Sequence, residues 1–350
     1  MRALQLQAWH SDAVVAEVPV PTAGPGQIVI KVAGAGACHS DLHLMHMLGD
    51  GMFPWGPPFT LGHENSGWVH EIGEGVEGFS KGEAVAVQGA WGCGSCARCM
   101  MGKDPYCENQ LAAAGDGAFG GGLGLDGGMA EYMLIHSPRH LVKIPGNLDP
   151  IAAAPLTDAG LTPYHAVKMS LPKMTPGSNV LVLGVGGLGH MGVQFIEALT
   201  GANIIAVDTK QEALDLAVAC GAEYTVNSGD ADAAAQIKEI TKGRGCDVVL
   251  DFVGVDATIA LGIASSRIQG DMTIVGAAGG TYAYGLYTAP YELNLRSTYW
   301  GSRSELAEVL ALAERGDITV TYTKYGIEDG LKVYKDLEAG KLKGRAVIVP

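Results

Sequence analysis

Near-continuous apolar runs separated by amphipathic stretches dominate the chain beyond about Pro155. NVLVL (179–183), NIIAV (203–207), DVVLDF (247–252) and MTIVG (272–276) are apolar almost throughout, whereas QEALDLAVACGA and DADAAAQIKEITKG carry helical periodicity. Such runs predict strands buried on both faces and joined by crossover helices, which is a parallel α/β sheet. The first 150 residues have a different texture. IVIKVAGAG (28–36), WVHEIG (68–73), AVAVQ (84–88) and AEYMLI (130–135) are short and punctuated by Gly and Pro, predicting an irregular β-rich domain. Within it, GDGAFGGGLGLDGG (115–128) reads as a long loop bordering a cleft. Ser302 and Glu305 form a capping box opening a helix that Gly316 closes. AVIVP (346–350) is strand-like without a neighbouring partner, and is expected to return to the N-terminal β domain.

A length of 350 residues fits two domains, and 47% apolar against 17% charged residues gives ample burial. The net charge of −14, with no basic block, argues against nucleic acid or an anionic membrane surface as partner. Met174–Ile196 has no formal charge, yet its six glycines and one proline divide it into strand, turn and helix rather than a membrane span. The N-terminus MRALQLQAWHSD lacks a signal-peptide pattern. Seven cysteines without an export signal point to a reducing compartment, the cytoplasm, where clustered cysteines bind metal or react.

Gly184-Val185-Gly186-Gly187-Leu188-Gly189 follows one predicted strand and opens a helix, the context a dinucleotide turn requires. Its glycines allow close backbone approach, so a pyrophosphate can sit on the helix N-terminus. Asp208, 19 residues after Gly189, ends the second strand, where a carboxylate would bind the adenosine ribose and repel a 2′-phosphate. NAD is thereby favoured over NADP, with Lys210 the one cationic neighbour. Glycines needed only for strand-to-helix packing are the plainer reading.

Four cysteines, Cys93, Cys96, Cys99 and Cys107, lie in WGCGSCARCMMGKDPYC (91–107). Four thiolates complete a tetrahedral zinc shell without an open position, which marks a structural site. An iron–sulfur cluster is the rival, although the last spacing of seven residues departs from the ferredoxin run. Disulfides or free thiols are the remaining alternatives. A second set is scattered: Cys38 in ACHSDLH (37–43), His63 in LGHENSG (61–67) and Asp158 in PLTDAGLTPYH (155–165). One Cys, one His and one carboxylate would leave zinc a fourth position for water or substrate.

GHENSGWVHEIG, CHSDLH, the four-cysteine lobe, the glycine turn and the terminal GRAVIV (344–349) occur together in an order that resembles the zinc-containing medium-chain alcohol dehydrogenases. The similarity spans essentially the whole chain and is nearest to bacterial NAD-dependent secondary alcohol dehydrogenases. It implies a GroES-like catalytic domain (1–155) with a zinc lobe (91–107), a Rossmann NAD domain (156–295), and a returning segment (296–350). It also implies two zinc ions per subunit, one catalytic and one structural. Cys38 and His63 match the first two catalytic ligands, and Asp158 falls where many members have a second Cys. Glu64 is implied as a residue orienting the ligands or as an alternative ligand, with a structural partnership to the Arg345 region also open. The resemblance implies that Ser40 accepts the alcohol proton and passes it through the nicotinamide ribose to His43. An ordinary surface role for His43, shared with His39 and His46, is the alternative. Thr162 and Val275 resemble nicotinamide contacts, and Arg345 resembles a pyrophosphate contact.

Trp55, Trp91, Trp300 and the glycine-rich loop are candidate walls for an apolar substrate pocket. The expected activity is reversible oxidation of alcohols, preferably secondary, to ketones or aldehydes by a homodimer or homotetramer. Polyol, threonine and amino-alcohol dehydrogenases are rivals within the family. A zinc-independent quinone reductase or a non-catalytic NAD-binding protein is the rival of another class.

Overall fold

In the computed structural model, residues 1–109, 118–229 and 232–350 are described. The chain divides into two compact units. One comprises Met1–Leu161, Trp300–Gly316 and Val320–Pro350, and the other Thr162–Tyr299 with Asp317–Thr319. Asn294–Ser297 is a strand of the second unit's sheet, and Trp300 is the first residue after it that belongs to the first unit.

The second unit is built on six parallel strands. From edge to edge they are Tyr224–Asn227, Asn203–Asp208, Asn179–Leu183, Cys246–Asp251, Ser266–Ile274 and Asn294–Ser297. This order reverses direction beside the first strand, as in a doubly wound nucleotide-binding sheet. Central strands are fully covered: Leu181, Ile205, Val249 and Met272 have no exposed surface. That two-sided burial is what the continuous apolar runs encode. Helices Gly189–Leu199, Gln211–Ala219, Ala233–Ile240 and Asp256–Ser265 connect the strands.

The first unit holds a seven-stranded sheet centred on the Ile28–Ala37 strand. Glu64–Ile72 and Arg345–Val349 flank it, both antiparallel to it. The chain's last strand thus returns to the N-terminal β unit, where Tyr322–Gly326 joins it in parallel. Arg2–Leu6 pairs with Val14–Glu17 and Phe59–Thr60 in a smaller sheet. Helix Arg303–Glu314 starts on the expected box, Ser302 Oγ accepting from the Glu305 N–H and Glu305 Oε2 accepting from the Ser302 N–H. Residues 115–117 of the glycine-rich stretch lie outside the described residues. The remainder packs onto the strand before His63, with Gly127 N donating to Thr60 O and Gly128 N to Gly62 O. No helix among the described residues is long and apolar enough to cross a membrane. The uncharged stretch 174–196 instead contains the Asn179–Leu183 strand and the start of the Gly189–Leu199 helix.

Candidate active site and metal centres

Strand register assembles the scattered residues of the first unit. Gly36 stands opposite Glu64, and Ala37 opposite Ala346, so Cys38, Glu64 and Arg345 gather at one end of the central strand. A Cβ at Gly36 would collide with the Glu64 carboxylate, so only glycine leaves that carboxylate room. Cys38 leaves the strand as N-cap of helix His39–His46. His63 immediately precedes the Glu64–Ile72 strand, and Asp158 ends the turn Pro155–Thr157.

Ligand-type atoms of Cys38, His63, Glu64 and Asp158 all lie within 4.8 Å of one another, and all four residues are buried. His63 Nε2 is 3.7 Å from Asp158 Oδ2, which is 3.9 Å from Cys38 Sγ. Tetrahedral zinc with bonds of about 2.0–2.3 Å separates its ligands by about 3.3–3.8 Å, so the set fits that ion with little adjustment. His63 Nδ1 lies 3.1 Å from Asp41 Oδ1 in a bent contact, which leaves Nε2 as the ligating nitrogen. Glu64 Oε1 is taken by a short ion pair with Arg345 Nη2, while its Oε2 has no hydrogen-bond partner among the described residues.

The electrostatics follow from burial and neighbours. Burial works to raise the Cys38 thiol, but the Arg345 charge and a hydrogen bond with His63 leave it below its ordinary value. Burial works to lower His63, yet the Asp41 carboxylate and the Asp158 bond hold it well above the usual range. Burial and the Cys38 and Asp158 charges push Glu64 up, and Arg345 opposes them.

Asp41 and Tyr334 escaped the sequence reading. Asp41 is fully buried, and its Oδ2 accepts from the Cys38 N–H and the Tyr334 hydroxyl, each at 3.0 Å. A carboxylate three residues after Cys38, in CHSDLH itself, was the available signal for Asp41. Ser40 Oγ lies 3.4 Å from Cys38 Sγ, and Ser40 and His43 are half-buried on the same short helix. Trp300 packs its ring edge-on to His63, with centroids 5.6 Å apart, and its Nε1 donates to Thr157 O beside Asp158. Trp55 belongs to an aromatic cluster with Phe53, Phe59 and Phe119. Trp91 is 1% exposed, stacks on His140 and donates to Gln88 O.

The lobe cysteines converge separately. Cys93 and Cys99 sulfurs are 4.0 Å apart, and those of Cys96 and Cys107 are 3.9 Å apart. A disulfide needs about 2.05 Å, whereas four thiolates on one zinc stand about 3.8 Å apart. Backbone N–H groups of Cys96, Cys99 and Cys93 donate to Cys93, Cys96 and Cys107 respectively, an arrangement that suits thiolate sulfurs; Cys99 and Cys107 are buried and Cys93 and Cys96 half-buried. A hydrogen bond from Ser95 leads the causes that bring Cys93 down to about 5. Arg139 pins the lobe from outside, pairing with buried Asp104 and donating to Cys99 O.

In the second unit, the glycine turn joins the Asn179–Leu183 strand to the Gly189–Leu199 helix. Gly184 has φ +82°, and a Cβ at Gly189 would strike the Gly184 carbonyl, so both positions demand glycine. Among the described residues nothing lies within 4 Å of where a Cβ at Gly186 would stand, which leaves room for a ligand on this face of the turn. Asp208 Oδ2 accepts from the Val185 N–H and its Oδ1 from the Lys210 N–H, tying the acid to the turn. Val275 follows the C-terminal end of the Ser266–Ile274 strand, the edge at which parallel sheets bind ligands. Thr162 is buried near the start of helix Leu161–Ser170.

A glycine turn on a doubly wound sheet in one unit, and two groups of metal-ligand side chains in the other, fit the class of metal-binding, nucleotide-dependent enzymes. Comparisons with known proteins agree. Residues 24–146 match the sequence model of the alcohol dehydrogenase GroES-like domain, and residues 187–315 that of the zinc-binding dehydrogenase domain. An NAD-dependent alcohol dehydrogenase of Sulfurisphaera tokodaii is 33% identical over 366 residues, covering 100% of both chains. The alcohol dehydrogenase of Aeropyrum pernix superimposes with a TM-score of 0.91 at 36% identity, covering 100% of both chains. D-arabinose dehydrogenase from Sulfolobus solfataricus gives 0.83 at 29% identity, covering 100% of this chain and 99% of that one. The chain belongs to the zinc-type medium-chain alcohol dehydrogenase family, with a GroES-like and a Rossmann-like domain.

Proposed function

We propose that the protein is a zinc- and NAD-dependent dehydrogenase that reversibly oxidises alcohols, preferably secondary, to ketones or aldehydes. The observation supporting this most directly is the buried convergence of Cys38, His63 and Asp158, with Glu64 diverted to Arg345. Three ligands with one position left over suit a catalytic zinc, and the closed four-cysteine set suits a structural one. Zinc supplies Lewis acidity that makes an alcohol hydroxyl easier to deprotonate, and NAD supplies the hydride acceptor.

The chain's own residues do the rest. Asp41 orients His63 through Nδ1 and holds the Cys38 backbone. Ser40 Oγ, beside Cys38 Sγ, accepts the alcohol proton. His43, three residues along the same helix, shares its face and delivers the proton to solvent. Trp300 shapes the wall next to His63. Asp208 favours NAD, since a 2′-phosphate would meet its carboxylate, and Thr162 and Val275 of the same unit are the nicotinamide contacts. The enzyme works in the cytoplasm as a homodimer or homotetramer.

Cys38→Ala or Asp158→Ala should abolish NAD-dependent alcohol oxidation while NAD still binds. Unchanged turnover by either variant would refute the reading. A relative 31% identical is named D-arabinose 1-dehydrogenase (NADP(+)). A panel of secondary alcohols, polyols and aldoses assayed with NAD and NADP therefore decides between alcohol and sugar substrates.

A further inference from the structure

The Tyr334 hydroxyl is buried deep in the first unit, on helix Gly330–Glu338, and only 2% of the residue is exposed. A phenylalanine would fill the same space, and burying a hydroxyl is unfavourable unless it bonds. This one donates to Asp41 Oδ2 at 3.0 Å and also lies 3.1 Å from Met129 Sδ. The same Asp41 carboxylate receives the Cys38 N–H and faces His63 Nδ1. One acid is thus fixed by a donor from the C-terminal segment while it sets two metal-ligand residues.

We propose that Tyr334 is a positioning residue of the metal centre: its hydroxyl fixes the Asp41 carboxylate, which orients His63 and Cys38 and so strengthens metal retention there. The inference rests on the reading that Cys38, His63 and Asp158 hold zinc. Direct outer partners of metal-bound histidines are worth about 10–100-fold in affinity, and Tyr334 acts one bond further out, so an effect of about 3–10-fold follows.

The test measures Zn2+ dissociation by dipicolinate competition on the full chain, with Cys38→Ala identifying which release step belongs to this site. Tyr334→Phe should weaken Zn2+ binding at that site about 3–10-fold and shift the ligand-field bands of the Co2+-substituted protein. Leu337→Ala, on the same helix, should lower the melting temperature yet leave Zn2+ affinity unchanged. Adding Tyr334→Phe to Asp41→Asn should have less than about a twofold further effect, because the path is already cut. Affinity of Tyr334→Phe within twofold of wild type, or equal zinc loss by Leu337→Ala, overturns the proposal. If Tyr334→Phe does not fold, wild-type Zn2+ affinity in Asp41→Asn overturns it instead. A wild-type chain with no Zn2+ at this site would overturn both this proposal and the reading beneath it.

Discussion

Arg345→Met tests the charge balance of the site most sharply. Arg345 is 3% exposed and Glu64 not at all, and the two form the ion pair at the end of the central strand. The Arg345 charge also acts on Cys38 and Asp158, so one guanidinium serves three acidic groups. Removing it leaves Glu64 to burial and like charges, both of which already push its carboxyl up. Breaking a buried pair from one side costs about 3–5 kcal/mol, whereas replacing both partners by apolar groups is often close to neutral. For a domain of this size each kcal/mol moves the melting temperature by about 2–4 °C, so Arg345→Met should lower it by about 6–20 °C. Glu64→Met/Arg345→Met should recover most of that loss, leaving a coupling above about 2 kcal/mol. Calorimetry of the zinc-loaded single and double variants reads both numbers. A drop under about 3 °C for Arg345→Met, or a double variant no more stable than the single, would refute the argument.

Two further outcomes are expected. Burial, reinforced by Arg139, His136 and Arg303, lowers His140 from 6.5 to about 3, so the folded protein keeps it neutral while the unfolded chain takes up a proton below about 6.5. Its contribution is therefore intact above that pH and is lost as the pH falls toward about 3, amounting to about 1.4 kcal/mol between pH 7.5 and 5.5. Equal stability-against-pH slopes for wild type and His140→Phe would contradict this. Cys96→Ser should reduce zinc content by one ion per chain and cost more than about 4 kcal/mol of stability, with hydride transfer retained in molecules that stay folded. A fully folded variant that lost turnover would remove the structural assignment of the lobe.

The parallel sheet was readable because two-sided burial writes itself as unbroken apolar runs, as in NVLVL and DVVLDF. Val14–Glu17 carried no such mark: it lies on a sheet edge and is mostly exposed, so its residues do not alternate. Asn294–Ser297 is likewise an edge strand, polar at three of its four positions. The four-cysteine lobe announced itself through local spacing. Cys38, His63 and Asp158 had no spacing to announce; their donor chemistry suggested a set, and resemblance to a family gave each of them its place in it. Asp41 stands inside CHSDLH, but sequence alone does not separate it from any other acid in the first turn of a helix. Tyr334 was out of reach, since its bond to Asp41 joins positions 293 residues apart.

What makes such a site hard to read is that strand register, not sequence distance, builds it. Gly36 opposite Glu64 and Ala37 opposite Ala346 bring an acid and a base from two neighbouring strands to the Cys38 end of a third. Side chains alternate with period two, so a slip of one residue in either pairing would turn Glu64 or Arg345 to the opposite face. The pair would then be separated, and a charge would be buried without its partner. The cost of breaking the Glu64–Arg345 pair therefore also opposes misregister of the last strand. Trp300 and Tyr334 reach the same centre from the returning segment, on Thr157 and on Asp41. Correct docking of that segment and correct placement of the ligands are consequently one structural event, and a metal bound to Cys38, His63 and Asp158 would stabilise both together.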